Sequence, residues 1–473
     1  MTRPLVVLGD VLLDVDRCGT VDRLSPEAPV PVLRDPVDTR RPGGAALAAL
    51  LAARSTSRPV VLIAPWADDD AATQLADLLA GQVEVIGISW TGSTPVKTRL
   101  RAGTHPLARV DEGGRTGDLA SLPAAALAAL DGAAAVLVAD YGIGATGFPA
   151  IRQALQRLSA RTPVVWDPHP RGSVPVPGTW CVTPNEQELR VLATGAGGQP
   201  AADHQWSYGA LAAAADDLAA GWSARSVCIT LGSRGAMLCT PDGPPLVVSA
   251  PPVQAGDTCG AGDSFAAAVA VALADGGLPS EAVGTAVRAA ARFVAQGGAA
   301  GVNAAPTATA IPPATAGTDE PSTSVQALLS GVRQTGGTVV ATGGCFDLLH
   351  AGHVATLEAA RALGDCLVVC LNSDASVRRL KGTARPLQPE QDRARVLGAL
   401  HCVDAVVVFD QDTPSAVLEE LRPDVWAKGG DYSGVELPEA AVLRRWGGQV
   451  VTVPYLAGRS TTALVELATA PSR

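Results

Sequence analysis

Short apolar runs recur along the chain, separated by longer alanine-rich stretches. In the first part they read "LVVLGD", "PVVLIA", "AAVLVAD", "TPVVWDP", "WCVTPN" and "SVCITLG". These runs are continuous rather than alternating, so each is predicted to be a strand buried on both faces. The stretches between them are predicted helices, which gives the βαβ pattern of a parallel sheet covered on both sides. The pattern returns near the end as "GTVVATGG", "DCLVVCLNS", "DAVVVFD", "DVWAKGG" and "QVVTVPY". That part is predicted to be a small doubly wound domain with ligands at the carboxyl ends of its strands. The start, "MTRPLVVLGDVLLDVD", reads as a first strand, because Asp10 and Asp14 interrupt what would be the apolar region of a signal peptide. In "SPEAPVPVLRD" valine alternates with proline, which cannot join a central strand, so an edge ribbon or lid is expected there.

Residues 304–324, "AAPTATAIPPATAGTDEPSTS", lack large apolar side chains and read as a linker. The expected domains are therefore 1–303 and 325–473. With 47% apolar and 17% charged residues, the 473-residue chain has a globular composition. Its net charge of −10 and lack of basic runs argue against nucleic-acid or anionic-membrane partners. Runs such as "FAAAVAVALA" fall short of the roughly 18 apolar residues that a membrane span needs. Nine dispersed cysteines fit a reducing cytosol, and no paired spacing suggests structural zinc. The three lysines, Lys97, Lys381 and Lys428, fall in "PVKTRL", "RRLKGTARP" and "AKGGDY", stretches that other features mark as functional. Arginine replaces lysine on most surfaces but not where a compact ammonium is required.

Three stretches carry candidate chemistry. "GIGATG", Gly142 to Gly147, matches a dinucleotide fingerprint, but Asp140 and Tyr141 separate it from its strand. It reads as a βα turn bordering a substrate cleft. In "AGDTCGAGDSF", Gly260, Ala261 and Gly262 lead into an apolar helix whose free N–H groups form an anion hole. Asp263 opens the same helix, where the dipole favours an ionised carboxylate able to act as a base. That combination suits phosphoryl transfer from ATP to an alcohol; the competing reading is a glycine-rich helix start that Asp263 merely caps. In "TGGCFDLLHAGH", His350 and His353 lack the further ligands of a zinc site. Structural histidines are one remaining reading. Phosphate chemistry is the other: a strand ends at Gly343 and Gly344, and a helix starting near His353 offers its N-terminus. Two imidazoles there would donate to a polyphosphate as charge builds.

"DTCGAGDS" resembles the signature of ribokinase-type sugar kinases, "GGAALAAL" resembles their other signature, and "TPNEQEL" their N-x-x-E motif. The resemblance implies that Asp263 is the catalytic base and that the backbone of Gly260 to Gly262 holds the transferred phosphoryl group. Asn185 and Glu188 would arrange magnesium and the ATP phosphates, and Gly232 and Gly235 of "LGSRGA" would border the nucleotide. Asp10, Asp14, Gly43, Gly44, Lys97 and Arg99 would contact the sugar phosphate. "RLSPEAPVPV" is similar to the heptose-7-phosphate kinase branch. The second part resembles the H-x-G-H nucleotidyltransferases, and more closely the adenylyltransferase half of bifunctional heptose-phosphate enzymes, through "FDLLHAGH", "LNSDASVRRLKG", "RPLQPEQDRARVLGAL", "VVVFDQDTP", "KGGDY" and "GRSTT". By that resemblance His350 and His353 stabilise the α- and β-phosphates, with Lys381, Lys428, Ser460 and Thr461 as further phosphate contacts.

The implied fold is α/β: a ribokinase-like parallel-sheet kinase domain with a small β lid, followed by a Rossmann-like nucleotidyltransferase domain. The implied ligands are ATP, Mg2+ and a small-molecule sugar phosphate, in a cytoplasmic homodimer that serves ADP-heptose biosynthesis. A sugar 1-phosphate is already an anionic nucleophile, so its attack on ATP needs no general base. Leu47 stands where the kinase family usually has Asn, while Ile143 and His169 stand where it usually has Lys; Gly344 replaces a common Asn in the second half. These departures leave two alternatives: a non-catalytic or altered-specificity first half, and a nucleotidyltransferase for another phosphate such as glycerol 3-phosphate.

Overall fold

A computed structural model describes residues 2–103, 105–114, 117–194, 206–241, 243–253, 257–302, 325–430 and 437–454. The expected linker 304–324 lies outside the described residues, as do Ser460 and Thr461. The chain divides into two compact units. One comprises residues 1–200, 217–230 and 251–310, the other 201–216, 231–250 and 311–473.

The first unit contains β1 (Leu5–Gly9), β2 (Val11–Thr20), β3 (Arg34–Gly44), β4 (Val60–Trp66), β5 (Glu84–Ser89), β6 (Val96–Ala102), β7 (His105–Glu112), β8 (Ala135–Ala139), β9 (Val164–Asp167), β10 (Cys181–Val182) and β11 (Val227–Thr230). Seven of these form a parallel sheet in the order β11-β10-β9-β8-β1-β4-β5. Val6 of β1 sits between Val61 and Val136. Leu5, Val6 and Val7 have no exposed surface, as the unbroken apolar runs require of strands covered on both faces. Each fully buried aliphatic side chain contributes about 1.5–3 kcal/mol.

The first apolar run forms two strands, not one. Asp10 lies between β1 and β2, and β2 joins a separate four-stranded sheet in the order β3-β2-β6-β7. β3, which follows the proline-rich stretch, is an edge strand of this small sheet. Ahead of β3 the stretch forms an isolated bridge between Leu24 and Pro31, with the Ser25 N–H donating to the Val30 carbonyl and the Val32 N–H to the Arg23 carbonyl.

The second unit contains the antiparallel pair β12 (Ala236–Cys239) and β13 (Leu246–Val248). It also contains β14 (Val339–Gly344), β15 (Cys366–Asn372), β16 (Ala405–Phe409), β17 (Val425–Gly429) and β18 (Gln449–Val453). These last five are parallel, in the order β16-β15-β14-β17-β18. The chain runs outward from β14 to β16 and then returns to the other side of β14. The switch point therefore lies between β14 and β17, where doubly wound sheets bind their ligands. Among the described residues no helix is long and apolar enough to cross a membrane.

Candidate functional site

In the first unit the helix Ala261–Ala274 begins at Gly260, whose φ of 82° lies in the left-handed region open to glycine. A Cβ on Gly260 would stand 3.0 Å from Leu47 Cδ2 and 3.2 Å from Phe293 Cζ, so the turn rests on an apolar floor. No described side chain caps this helix. The Ala261 N–H is spent on the Thr258 carbonyl at 3.1 Å, leaving the next N–H groups of the turn for a ligand. Around Gly262 a Cβ would meet nothing within 4 Å, so that turn faces open space.

Asp263 is only 6% exposed. Burial pushes its pKa up to about 7, while the Tyr141 hydroxyl, which donates to Oδ1, opposes that rise. The expectation of a plainly ionised carboxylate is thus corrected: desolvation outweighs the helix dipole, and the group is about half ionised at neutral pH. Lys97 Nζ stands 5.8 Å from the Tyr141 ring centroid. Asp10 accepts the backbone N–H groups of Tyr141, Ile143 and Ala145 at 3.1, 3.0 and 2.9 Å, so it shapes the turn that "GIGATG" begins. Asp14 accepts from Arg99 at 2.5 Å. A Cβ on Gly43 would lie 2.6 Å from Asp14 Oδ2, and one on Gly44 2.5 Å from the Asp10 backbone carbonyl oxygen, so the glycine pair lets β3 pass close to the Asp14 carboxylate and the Asp10 backbone.

Asn185 and Glu188 bond each other reciprocally. The Asn185 N–H donates to Glu188 Oε2 at 2.9 Å, and the Glu188 N–H donates to Asn185 Oδ1 at 2.8 Å. This is a capping arrangement, and it fixes both side chains. Asp167 accepts from the Thr183 hydroxyl at 2.8 Å. Burial first, and then the charges of Glu188 and Asp263, hold its carboxyl well above the usual range. Gly232 and Gly235 fall in the turn after β11, in residues grouped with the second unit; at Gly235, φ is 95° and a Cβ would lie 1.9 Å from the Val248 carbonyl oxygen.

The replaced family positions separate in kind. Leu47 is 2% exposed and packs beneath Gly260, so it supports the turn. Ile143 lines a cavity of about 170 Å³ with Asp10, Trp90 and Phe148. His169 Nδ1 accepts the Arg171 N–H at 3.1 Å, and burial lowers its pKa.

In the second unit the helix Ala351–Arg361 begins ahead of His353 and takes His350 as its N-terminal flanking residue. The two rings stack with centroids 3.9 Å apart and planes 23° apart. Phe346, at a φ of 42°, meets His353 edge-on at 5.3 Å. Burial, and then the proximity of His350, lower the His353 pKa to about 4, so this imidazole is neutral at neutral pH. His350 Nδ1 is buried with no partner among the described residues. Gly343 and Gly344 end β14; a Cβ on Gly343 would strike Trp426 at 2.5 Å, and one on Gly344 would lie 3.2 Å from the Phe346 ring.

Asp347 is committed to structure. Its Oδ2 accepts from Arg385 at 2.6 Å, and its Oδ1 accepts from the backbone of Leu387 and Gln388. Burial would raise its pKa, but these donors outweigh it and hold the carboxyl below the usual range. Lys381 Nζ lies 2.9 Å from Cys345 Sγ, and Lys428 Nζ lies 2.8 Å from Glu439 Oε1. Gly343, Gly344, Asn372, Trp426, Lys428 and Glu439 share a cavity of about 250 Å³ at the switch point.

Two residues here were not anticipated. Tyr141 stands in sequence between a strand and a glycine motif, with no local mark of its contact with Asp263. Arg393, 1% exposed, donates to the carbonyls of Cys345, Asn372 and Gln388 at 2.6, 3.0 and 3.0 Å and to Asp374 Oδ1 at 2.7 Å. It thereby ties the start of the histidine loop to the end of β15. One arginine among many in a helical run carries no local mark of burial.

A family model described as pfkB family carbohydrate kinase matches residues 2–307, and one described as cytidylyltransferase-like matches residues 341–466. The bifunctional protein HldE of Streptomyces coelicolor is 54% identical over 99% of this chain and 97% of its own length. The bifunctional protein HldE of Azorhizobium caulinodans is 41% identical over 98% and 97%. A structure of Arabidopsis thaliana ribokinase complexed with ribose and ATP aligns at 22% identity and a TM-score of 0.49, covering 64% of this chain and 98% of that one. The glycine turn with its carboxylate and the stacked histidine pair thus occur in a chain that belongs to the pfkB family of carbohydrate kinases through residues 2–307 and, over its whole length, to the bifunctional HldE family, which joins a sugar kinase to a nucleotidyltransferase.

Proposed function

We propose that the chain phosphorylates heptose 7-phosphate at C1 with ATP and, in its second half, transfers AMP from ATP to heptose 1-phosphate with release of pyrophosphate. The observation that carries this reading is the coexistence, in one chain, of a buried carboxylate on an uncapped helix start and a stacked imidazole pair on another. In the first half the sugar hydroxyl attacks the γ-phosphorus of ATP, Asp263 takes the hydroxyl proton, and ADP leaves. The first-turn N–H groups after Gly260 receive the transferred phosphoryl group, whose transfer is mainly positioning and charge neutralisation. In the second half the sugar phosphate oxygen attacks the α-phosphorus, and His350 and His353 donate to the phosphate oxygens as charge builds. Lys381, Lys428, Ser460 and Thr461 complete that phosphate site, and Asp10, Asp14, Gly43, Gly44, Lys97 and Arg99 hold the sugar of the kinase step.

Magnesium fits the first site. Glu188 and Asp167 offer hard oxygen donors; burial raises the pKa of both, and the Glu188 charge adds to the rise at Asp167. Mg2+ binds through one or two carboxylates plus substrate phosphates and waters, and it would supply charge screening of the triphosphate. Residues 304–324 are read as the linker between the halves. A homodimer and a cytoplasmic location belong to the same proposal, and the location is supported by free cysteines throughout the described residues.

The apolar Ile143 wall favours one variation, a kinase step with an altered sugar preference. Both versions are tested by mass spectrometry of the products formed from heptose, hexose and pentose phosphates with each nucleoside triphosphate. Heptose bisphosphate and ADP-heptose are the expected products. Failure to form either with heptose substrates, alongside turnover of another phosphate, overturns the assignment.

A further inference from the structure

Tyr141 follows β8 and is held at both ends. Its backbone N–H donates to Asp10 Oδ2 at 3.1 Å, and its hydroxyl donates to Asp263 Oδ1. Its ring also borders the glycine pair: a Cβ on Gly44 would lie 3.5 Å from Tyr141 Cδ2. The side chain is therefore aimed at the carboxylate by contacts independent of that carboxylate. The other charged groups that face Asp263 are Asp14 from β2, Lys97 from β6, Glu188 from the helix Glu186–Thr194 and Asp167 from β9. Two of these, Asp14 and Glu188, are carboxylates that oppose its ionisation, and burial opposes it most. Lys97 and the Tyr141 hydroxyl favour the ionised form, as the helix start does.

Building on the reading of Asp263 as the base, we infer that Tyr141 is a positioning residue for the kinase step: its hydroxyl fixes Oδ1 of Asp263 and favours the ionised carboxyl, leaving Oδ2 to take the proton of the attacking alcohol. The balance of the step is unchanged. The alcohol oxygen bonds the γ-phosphorus, the bond to the ADP oxygen breaks, and the proton ends on Oδ2. The phenol stays protonated throughout, because burial and then the Asp263 charge hold its own pKa well above the ordinary value. Fixing one oxygen also fixes the plane of the carboxylate, which a rotating side chain at a helix start would not otherwise keep.

The test is Tyr141→Phe in the full chain, which keeps the ring and removes the hydroxyl. With heptose 7-phosphate and ATP, the acid limb of kcat/KM is expected to move up by about one pH unit, because a lost donor to the charged form raises a carboxyl pKa. Below neutral pH the variant is then slower by about tenfold than above it, relative to the parent. Adenylyl transfer by the same polypeptide is expected to be unchanged and serves as the folding control. A uniform loss at every pH with the limb unmoved reduces Tyr141 to packing and overturns the inference, as does an unchanged profile. If the variant phosphorylates too slowly to profile, carbon NMR of labelled aspartate reads the Asp263 titration directly, and an unshifted titration is equally fatal. Asp263→Asn separates the two ideas. If that variant still phosphorylates, the reading of the base has failed; if it is inactive while Tyr141→Phe shifts nothing, only the role of Tyr141 has failed.

Discussion

The first half places a carboxylate, and the second a pair of imidazoles, at a helix start that glycine-rich backbone precedes. Burial then acts on opposite kinds of group. At Asp263 it favours the neutral acid and brings the pKa up to about 7, against the charge that a base needs. At His353 it favours the neutral imidazole and brings the pKa down to about 4, which leaves an N–H donor with no charge to neutralise. One desolvation cost therefore brings the titration of Asp263 to near neutrality and takes that of His353 well below it. Tyr141 and Lys97 partly offset that cost at Asp263.

The largest expected effect that tests this contrast is Asp263→Asn. Loss of the base is expected to lower sugar phosphorylation by about 10²–10⁴-fold, read as ADP release, with adenylyl transfer intact. A retained rate would mean that the carboxylate is only a cap. Next comes His353→Ala, expected to cost about 10²–10³ in pyrophosphate release while sugar phosphorylation stays unchanged. A normal rate there would remove the imidazoles from the chemistry.

Arg393→Met probes the scaffold under the second site. It leaves Asp374 and three backbone carbonyls, that of Asn372 buried, without this donor, so the second half is expected to lose about 3–5 kcal/mol on denaturant unfolding. An unmoved transition would show that the histidine loop does not depend on this arginine. The smallest effect is the pH profile of the parent. Below about pH 7 the ionised fraction of Asp263 falls with each unit, so kcat/KM for phosphorylation should drop about tenfold per unit. His353 gains its proton only as pH falls through about 4, so its contribution to adenylyl transfer should stay level between about pH 8 and 6. Parallel profiles for the two reactions would erase the contrast.

The continuous apolar runs became buried parallel strands, and the glycine turns before Asp263 and His350 lie where the pattern places them. These features are readable because each is local, a run or a spacing within one turn or one strand. The break at Asp10 was not readable, since its cause is the turn from Tyr141 to Ala145 that its carboxylate collects.

Order along the chain is enough to set out two α/β halves, a carboxylate at one helix start and an imidazole pair at another. Proton states and supports arise only when distant segments meet. Tyr141 reaches Asp263 across 122 residues, and Arg393 reaches the Cys345 carbonyl across 48. Leu47, which looks like a lost polar ligand when read beside its chain neighbours, becomes the floor of the Gly260 turn once the first helix packs against it. Burial is a property of packed neighbours rather than of neighbours in sequence. The pKa of a group and the partner of a buried donor are therefore decided by tertiary contacts, while strand, turn and helix start follow from patterns that the chain carries locally.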